Sequence, residues 1–142
     1  MSVGPVRTVR ARMACLPEAI AFVESLCLAH GVAAADSLRL VLVLEELFTN
    51  AVTHGYGGDC DAPVRIALAL EASEIALSFE DEAPPFDPIE QLDTSAVSVE
   101  NAGGERPVGR LGIALVAGMA ARVDYTREGG TNRLRIVLRR GG

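Results

Sequence analysis

The chain has 142 residues, 49% of them hydrophobic and 23% charged, with a net charge of −6, which suits one globular domain built on a single core. All 13 basic residues are arginine. The absence of lysine excludes chemistries that need an ammonium at the reacting group, namely a Walker-type phosphate loop, a eukaryotic-type protein kinase or a Schiff-base enzyme.

The acidic balance, arginines scattered from Arg7 to Arg140 and the lack of tryptophan argue against direct binding of nucleic acid, which needs a clustered cationic face or stacking aromatics. Cys15, Cys27 and Cys60 are odd in number and show no CxxC spacing. They read as free thiols of a reducing compartment, with neither a disulfide frame nor a zinc site. No stretch has the length of a membrane span, and arginines stand where a signal peptide would have its apolar run. A cytoplasmic protein without a membrane partner is expected.

In chain order, Val3 to Met13 alternate loosely and suit an edge strand. Pro17 opens a helix with Ile20, Val23 and Cys27 on one stripe and Gly31 as its stop. Asp36 is placed to cap a second helix, SLRLVLVLEELFTNAVTHG, too long and too continuously apolar for a strand and ending at Gly55. VRIALAL and EIALSFED alternate over a short link and predict a hairpin. Ala83 to Val108 has no period and is rich in Pro, Asp, Ser and Gly; a loop of roughly twenty residues inside a compact domain points to function or mobility. LGIALVAGMAA predicts a third helix, and ARVDYT and NRLRIVLRR a second hairpin around the turn EGG. This order predicts an α+β two-layer sandwich, with helices on one face of a mostly antiparallel, mixed sheet.

Four segments could carry chemistry. Glu46, Asn50 and His54 recur every four residues and therefore stack on one helical face. Facing a polar cleft, Asn50 could ligate a hard cation such as Mg²⁺ and Glu46 could deprotonate a nucleophile; facing water, the three are only the solvated stripe of an amphipathic helix. Asp81 ends a strand before a proline-fixed turn, where it either offers a carboxylate to a ligand donor or simply stops the strand. Glu80 and Asp81 point to opposite faces, against a carboxylate-only metal site. Gly109 and Gly112, around Arg110 and Leu111, open a helix whose amides could approach phosphate. Gly129-Gly130-Thr131-Asn132 reads as a hairpin turn.

In this order the segments resemble the GHKL ATP-binding fold of gyrase, histidine kinases and mismatch-repair ATPases. Within it they are most similar to the anti-sigma-factor serine kinases of bacterial partner switching, over about Arg10 to Arg139. EELFTNAVTHGY resembles the asparagine box, which implies Asn50 as Mg²⁺ ligand and Glu46 as general base, with His54 alongside. DEAPPFDP resembles the box whose aspartate binds the adenine amine, here Asp81, with Ala83 where a glycine is usual and Phe86 close by. GRLGI resembles the phosphate-binding glycine box, implying contacts from Gly109, Arg110, Leu111 and Gly112, although Arg110 replaces a glycine. GGTNRL resembles the terminal box, with Thr131 near adenine. Residues of about 88–108 correspond to a lid, and Arg106 or Arg110 is placed to meet the γ-phosphate. The resemblance implies one ATP-binding kinase domain over 1–142 that uses ATP and Mg²⁺. Its implied partners are a sigma factor and a STAS-domain anti-anti-sigma protein, and it could form a homodimer. The alternative is an ATP-binding regulator that sequesters its partners without turnover.

Overall fold

The computed structural model describes residues 5–85, 116 and 118–141. Strand β1 (Val6–Arg10) leads through a 3-10 turn at Met13–Cys15 into helices α1 (Leu16–Ala29) and α2 (Ala34–Asn50), the second prolonged by one wide π-helical turn at Ala51–Gly55. Strands β2 (Pro63–Leu70), β3 (Glu74–Asp81), β4 (Arg122–Glu128) and β5 (Thr131–Arg139) complete the described elements. The sheet runs in the order β1-β2-β3-β5-β4, and every pairing among the described residues is antiparallel. The expected α+β sandwich is therefore what forms. Of the helix expected over 111–121, Val116, Gly118 and Met119 are helical, and most of the remainder lies outside the described residues.

Alternation in the strands and the helical stripes meet in one core. Val64, Ile66 and Leu68 of β2, Ile75, Leu77 and Phe79 of β3, and Leu134, Ile136 and Leu138 of β5 are buried on the helix-facing side. Against them lie Val23 and Cys27 of α1 and Leu40, Leu44, Leu47 and Phe48 of α2. The Phe48 and Phe79 rings meet edge to face, with centroids 6.5 Å apart, a favoured aromatic geometry. Each such fully buried side chain contributes about 1.5–3 kcal/mol from removal of its apolar surface from water. Gly31 adopts φ +67° just past α1, as its role of helix stop requires. All three cysteines are free thiols.

One expectation for α2 needs correction. Asp36 does not cap the helix: α2 begins two residues earlier, and Ala33 occupies the cap position without a side-chain bond. Asp36 is instead buried in the first turn, where Oδ1 accepts from Arg39 Nη2 at 2.8 Å and from the Gly141 N–H at 3.0 Å. Arg39 also donates to the Arg139 carbonyl. A buried carboxylate is best satisfied by strong donors; here one is Arg39 of α2 and the other the Gly141 N–H just past β5, so Asp36 and Arg39 together tie the start of α2 to the sheet.

The helix does reach Gly55, but its last turn is wide. The Tyr56 N–H donates to the Ala51 carbonyl five residues back, at 2.8 Å. The Tyr56 hydroxyl accepts from the Glu82 N–H at 2.6 Å and donates to the Pro63 carbonyl at 3.4 Å. Tyr56 thus anchors the end of the widened turn between β2 and the segment after β3.

Candidate functional site

The three residues spaced by four differ in burial. Asn50 is buried, Glu46 is half-buried and His54 is exposed, so the three do not share one environment. Asn50 Nδ2 donates to the Glu46 backbone carbonyl at 2.8 Å. An amide oxygen is an atom of the kind a hard cation takes, so the side chain of Asn50 is of a type compatible with a Mg²⁺ ligand. Among the described residues there is no cluster of three His, Cys, Asp or Glu side chains that could hold a metal by itself. Such an ion would depend on Asn50 together with ligand oxygens. Burial, and then the neighbouring charge of Glu45, push the Glu46 carboxyl above its ordinary range. That moves it toward the value a base needs near neutral pH.

Asn50 lines a recess of ≈ 10 Å³, together with Leu47, Ala51, Phe79, Asp81, Asn132 and Leu134; this is room for about one water molecule. Asp81 is 8% exposed at the end of β3. Its Oδ1 accepts from the Ala83 N–H at 3.1 Å and from Asn132 Nδ2 at 2.9 Å. Burial raises the Asp81 carboxyl, while the Asn132 and Ala83 donors and the positive charge of Arg127 oppose the rise. The bond from Ala83 is that of an Asx turn, and the bond from Asn132 adds a donor from the neighbouring strand.

Asn132 is the residue that sequence reasoning missed. The structure brings Asn132 to Asp81, its direct partner in the β3–β5 register. The pleat carries Thr131 to the opposite face of the sheet. Asn132 is 3% exposed, and its Nδ2 also meets the carbonyls of Ala83 and Pro84, each at 3.1 Å. A signal was present: Asn132 is in phase with Leu134, Ile136 and Leu138, whereas Thr131 is in phase with Arg133 and Arg135. Gly129 and Gly130, at φ +57° and +78°, form the two-residue loop between Glu128 and Thr131. Both positions need left-handed backbone, and this sets the register that delivers Asn132.

Ala83, where a glycine is usual, is 1% exposed. Its Cβ faces Gly55, where an added Cβ would stand only 3.2 Å away. The segment after β3 is thus packed directly on the widened turn of α2. Phe86, Arg106, Gly109, Arg110, Leu111, Gly112 and the expected lid of about 88–108 lie outside the described residues. No helix among the described residues is long and apolar enough to cross a membrane.

The described residues thus form an α+β sandwich in which Asn50 of α2 and the buried Asp81–Asn132 pair line one recess beside the sheet. The chain belongs to the histidine kinase-like ATPase domain family, whose profile matches residues 9–138; membership implies ATP as the nucleotide. No curated protein matches the sequence. Among solved structures, the chain is similar to the RsbU and RsbW domains of Rv1364c from Mycobacterium tuberculosis, at 17% identity and a TM-score of 0.64, covering 97% of this chain and 34% of that one. It is also similar to one chain in the structure of the SiaB–SiaC complex of Pseudomonas aeruginosa, at 10% identity and a TM-score of 0.58, covering 96% of this chain and 90% of that one. A third similar structure is the Acinetobacter baumannii histidine kinase AdeS, at 15% identity and a TM-score of 0.53, covering 98% and 69%. The chain thus spans about a third of the Mycobacterium structure and most of the Pseudomonas one.

Proposed function

We propose that the protein is an ATP-dependent serine kinase of partner switching: it sequesters a sigma factor and phosphorylates a serine on a STAS-domain antagonist. The observation that carries this reading is the meeting of Asn50 of α2 with the Asp81–Asn132 pair around one recess, one turn of helix from a carboxyl pushed upward by burial. The partner-switching part is supported by the likeness of the fold to an RsbW-containing structure and to the two-protein SiaB–SiaC complex. It is also supported by the order of the sequence motifs.

In this reading Asp81 accepts a hydrogen bond from the exocyclic amine of adenine at the mouth of the recess. Asn50 offers its oxygen to Mg²⁺, which when bound neutralises charge on the triphosphate oxygens. Glu46 takes the proton of the substrate serine hydroxyl as its oxygen bonds to the γ-phosphorus and the bond to ADP breaks. Because such transition states are loose, positioning and charge stabilisation carry most of the rate. Glu46 then contributes about 10²–10⁴-fold as a general base.

The test mixes the purified chain with ATP, Mg²⁺ and a STAS-domain partner and measures phosphoserine. Transfer that disappears in Glu46→Gln supports the kinase. If phosphoserine does not form, or if Glu46→Gln leaves it unchanged, the kinase reading is wrong. Arg110, in place of a glycine of the phosphate box, favours a second reading, a binding module that holds ATP without turning it over. A single-turnover experiment separates the two, since the second predicts tight ATP binding with no ADP formed.

A further inference from the structure

An asparagine amide can stand either way round in a site, and its orientation is decided by its neighbours. Those of Asn132 leave one choice. The Tyr125 hydroxyl donates to Asn132 Oδ1 at 2.6 Å, and Arg127 Nη1 donates to the same oxygen at 2.9 Å. A guanidinium has donors only, so the atom it meets must be the amide oxygen. Nδ2 is thereby turned toward Asp81. Arg127 Nη1 also donates to the Ala83 carbonyl at 2.9 Å, so one cation spans the amide and the segment after β3.

We propose that Tyr125 and Arg127, acting through Asn132, select the base of the bound nucleotide. By fixing the amide they keep Asp81 a pure hydrogen-bond acceptor, so the site takes a purine with a 6-amino group and rejects one with a 6-oxo group. The proposal rests on the nucleotide-site reading above.

The physical reason lies in the alternative. With the amide reversed, its oxygen would face Asp81 Oδ1, and two acceptors meet in a buried place only if the carboxyl carries a proton. Once protonated, the carboxyl can turn its single O–H from the amide oxygen to a 6-oxo ring, while its other oxygen still accepts from a 6-amino group, so the preference between the two weakens. Burial and the neighbouring Glu82 push Asp81 toward that protonated form, while Asn132, Ala83 and Arg127 oppose them. Tyr125 and Arg127 are thus positioning residues. Neither donates to Asp81 among its hydrogen bonds in the structure, yet both fix the group that does.

The experiment measures equilibrium binding of ATP and of inosine triphosphate to the full chain by calorimetry, with Mg²⁺ present. It compares wild type, Tyr125→Phe, Arg127→Lys and the double variant Tyr125→Phe/Arg127→Met. Wild type should prefer ATP by about a hundredfold, because a site built around an acceptor penalises a ligand that brings another. In the double variant the ATP-to-inosine preference should shrink about tenfold, while Arg127→Lys, which keeps a donor, should retain most of it. Should the double variant fail to fold, Tyr125→Phe is read for the same ratio, since it deletes a single hydroxyl. An unchanged ratio in a folded variant lacking the donors overturns the proposal, as does equal loss of both affinities. Wild type binding both nucleotides alike overturns it too and leaves the nucleotide site standing. Wild type binding neither overturns the nucleotide-site reading itself.

Discussion

Asn132 and Asp81 stand opposite one another on neighbouring antiparallel strands, and the amide nitrogen of one donates to the carboxylate of the other at 2.9 Å. This bond joins two motifs that lie 51 residues apart in the chain. It also sets a conflict at the site, because a carboxylate kept out of water is costly to the fold.

That conflict predicts opposite responses of stability and binding to Asp81→Asn. Burial raises the Asp81 carboxyl, so the folded chain holds this proton more tightly than the unfolded one. The associated stability is fully present below the unfolded value of about 3.9; it is lost as pH rises through the folded value. An asparagine can still accept from the Ala83 N–H and carries no charge. The variant should melt at or above the wild-type temperature at pH 7 and lose this relative advantage near pH 4. Its ATP affinity should fall about tenfold or more. Thermal melts from pH 4 to 8, with and without ATP, measure both.

Glu46 titrates under the influence of burial and of Glu45. In the proposed kinase reading Glu46 acts only when ionised, so phosphotransfer should fall on the acid side as it takes up its proton. Glu45→Gln removes a neighbouring negative charge and lowers the Glu46 carboxyl. The acid limb of the rate profile should therefore move to lower pH, with the plateau rate little changed. A limb that stays in place would mean that another group controls it.

The Asp36 carboxyl is held below its usual range, first by the Arg39 guanidinium and then by the Gly141 N–H. Here the sign is reversed. The stability is present above the unfolded carboxylate value of about 3.9 and is lost as pH falls through the lower folded value. Asp36→Ala should cost about 1.5–3 kcal/mol at pH 7, as for hydrogen bonds to a charged group. The gap between variant and wild type should close in strong acid. Urea titrations at pH 7 and near pH 2.5 are the measurement.

Gly55 and Ala83 should behave as a coupled pair. A Cβ on residue 55 would stand 3.2 Å from Ala83 Cβ. Ala83 cannot easily yield, because its N–H is bonded to Asp81 and its carbonyl to Arg127 and Asn132. Gly55→Ala should cost about 1–3 kcal/mol, and adding Ala83→Gly should recover most of that. A double-mutant cycle by chemical denaturation reads the coupling directly; additive effects would mean that the contact is not felt.

Much of this protein is determined by local pattern alone. The strands of period two, the apolar helix through Glu46 and Asn50, and the left-handed glycines at the β4–β5 turn are each written within a few residues, because side-chain direction repeats with the backbone. The positions of Glu46, Asn50 and Asp81 follow from those periods. Tertiary structure decided what depends on distant partners. Asp36 leaves the helix cap because, besides Arg39 one turn along α2, it takes a distant donor, the Gly141 N–H just beyond β5. His54 is exposed while Asn50 is buried, a difference that a spacing of four does not contain. The phase of β5 sets Asn132 on the face of Leu134, Ile136 and Leu138, and Thr131 on the other. That this asparagine meets Asp81 was decided by the pairing of β5 with β3, because strand register joins residues far apart in the chain and no local pattern contains it.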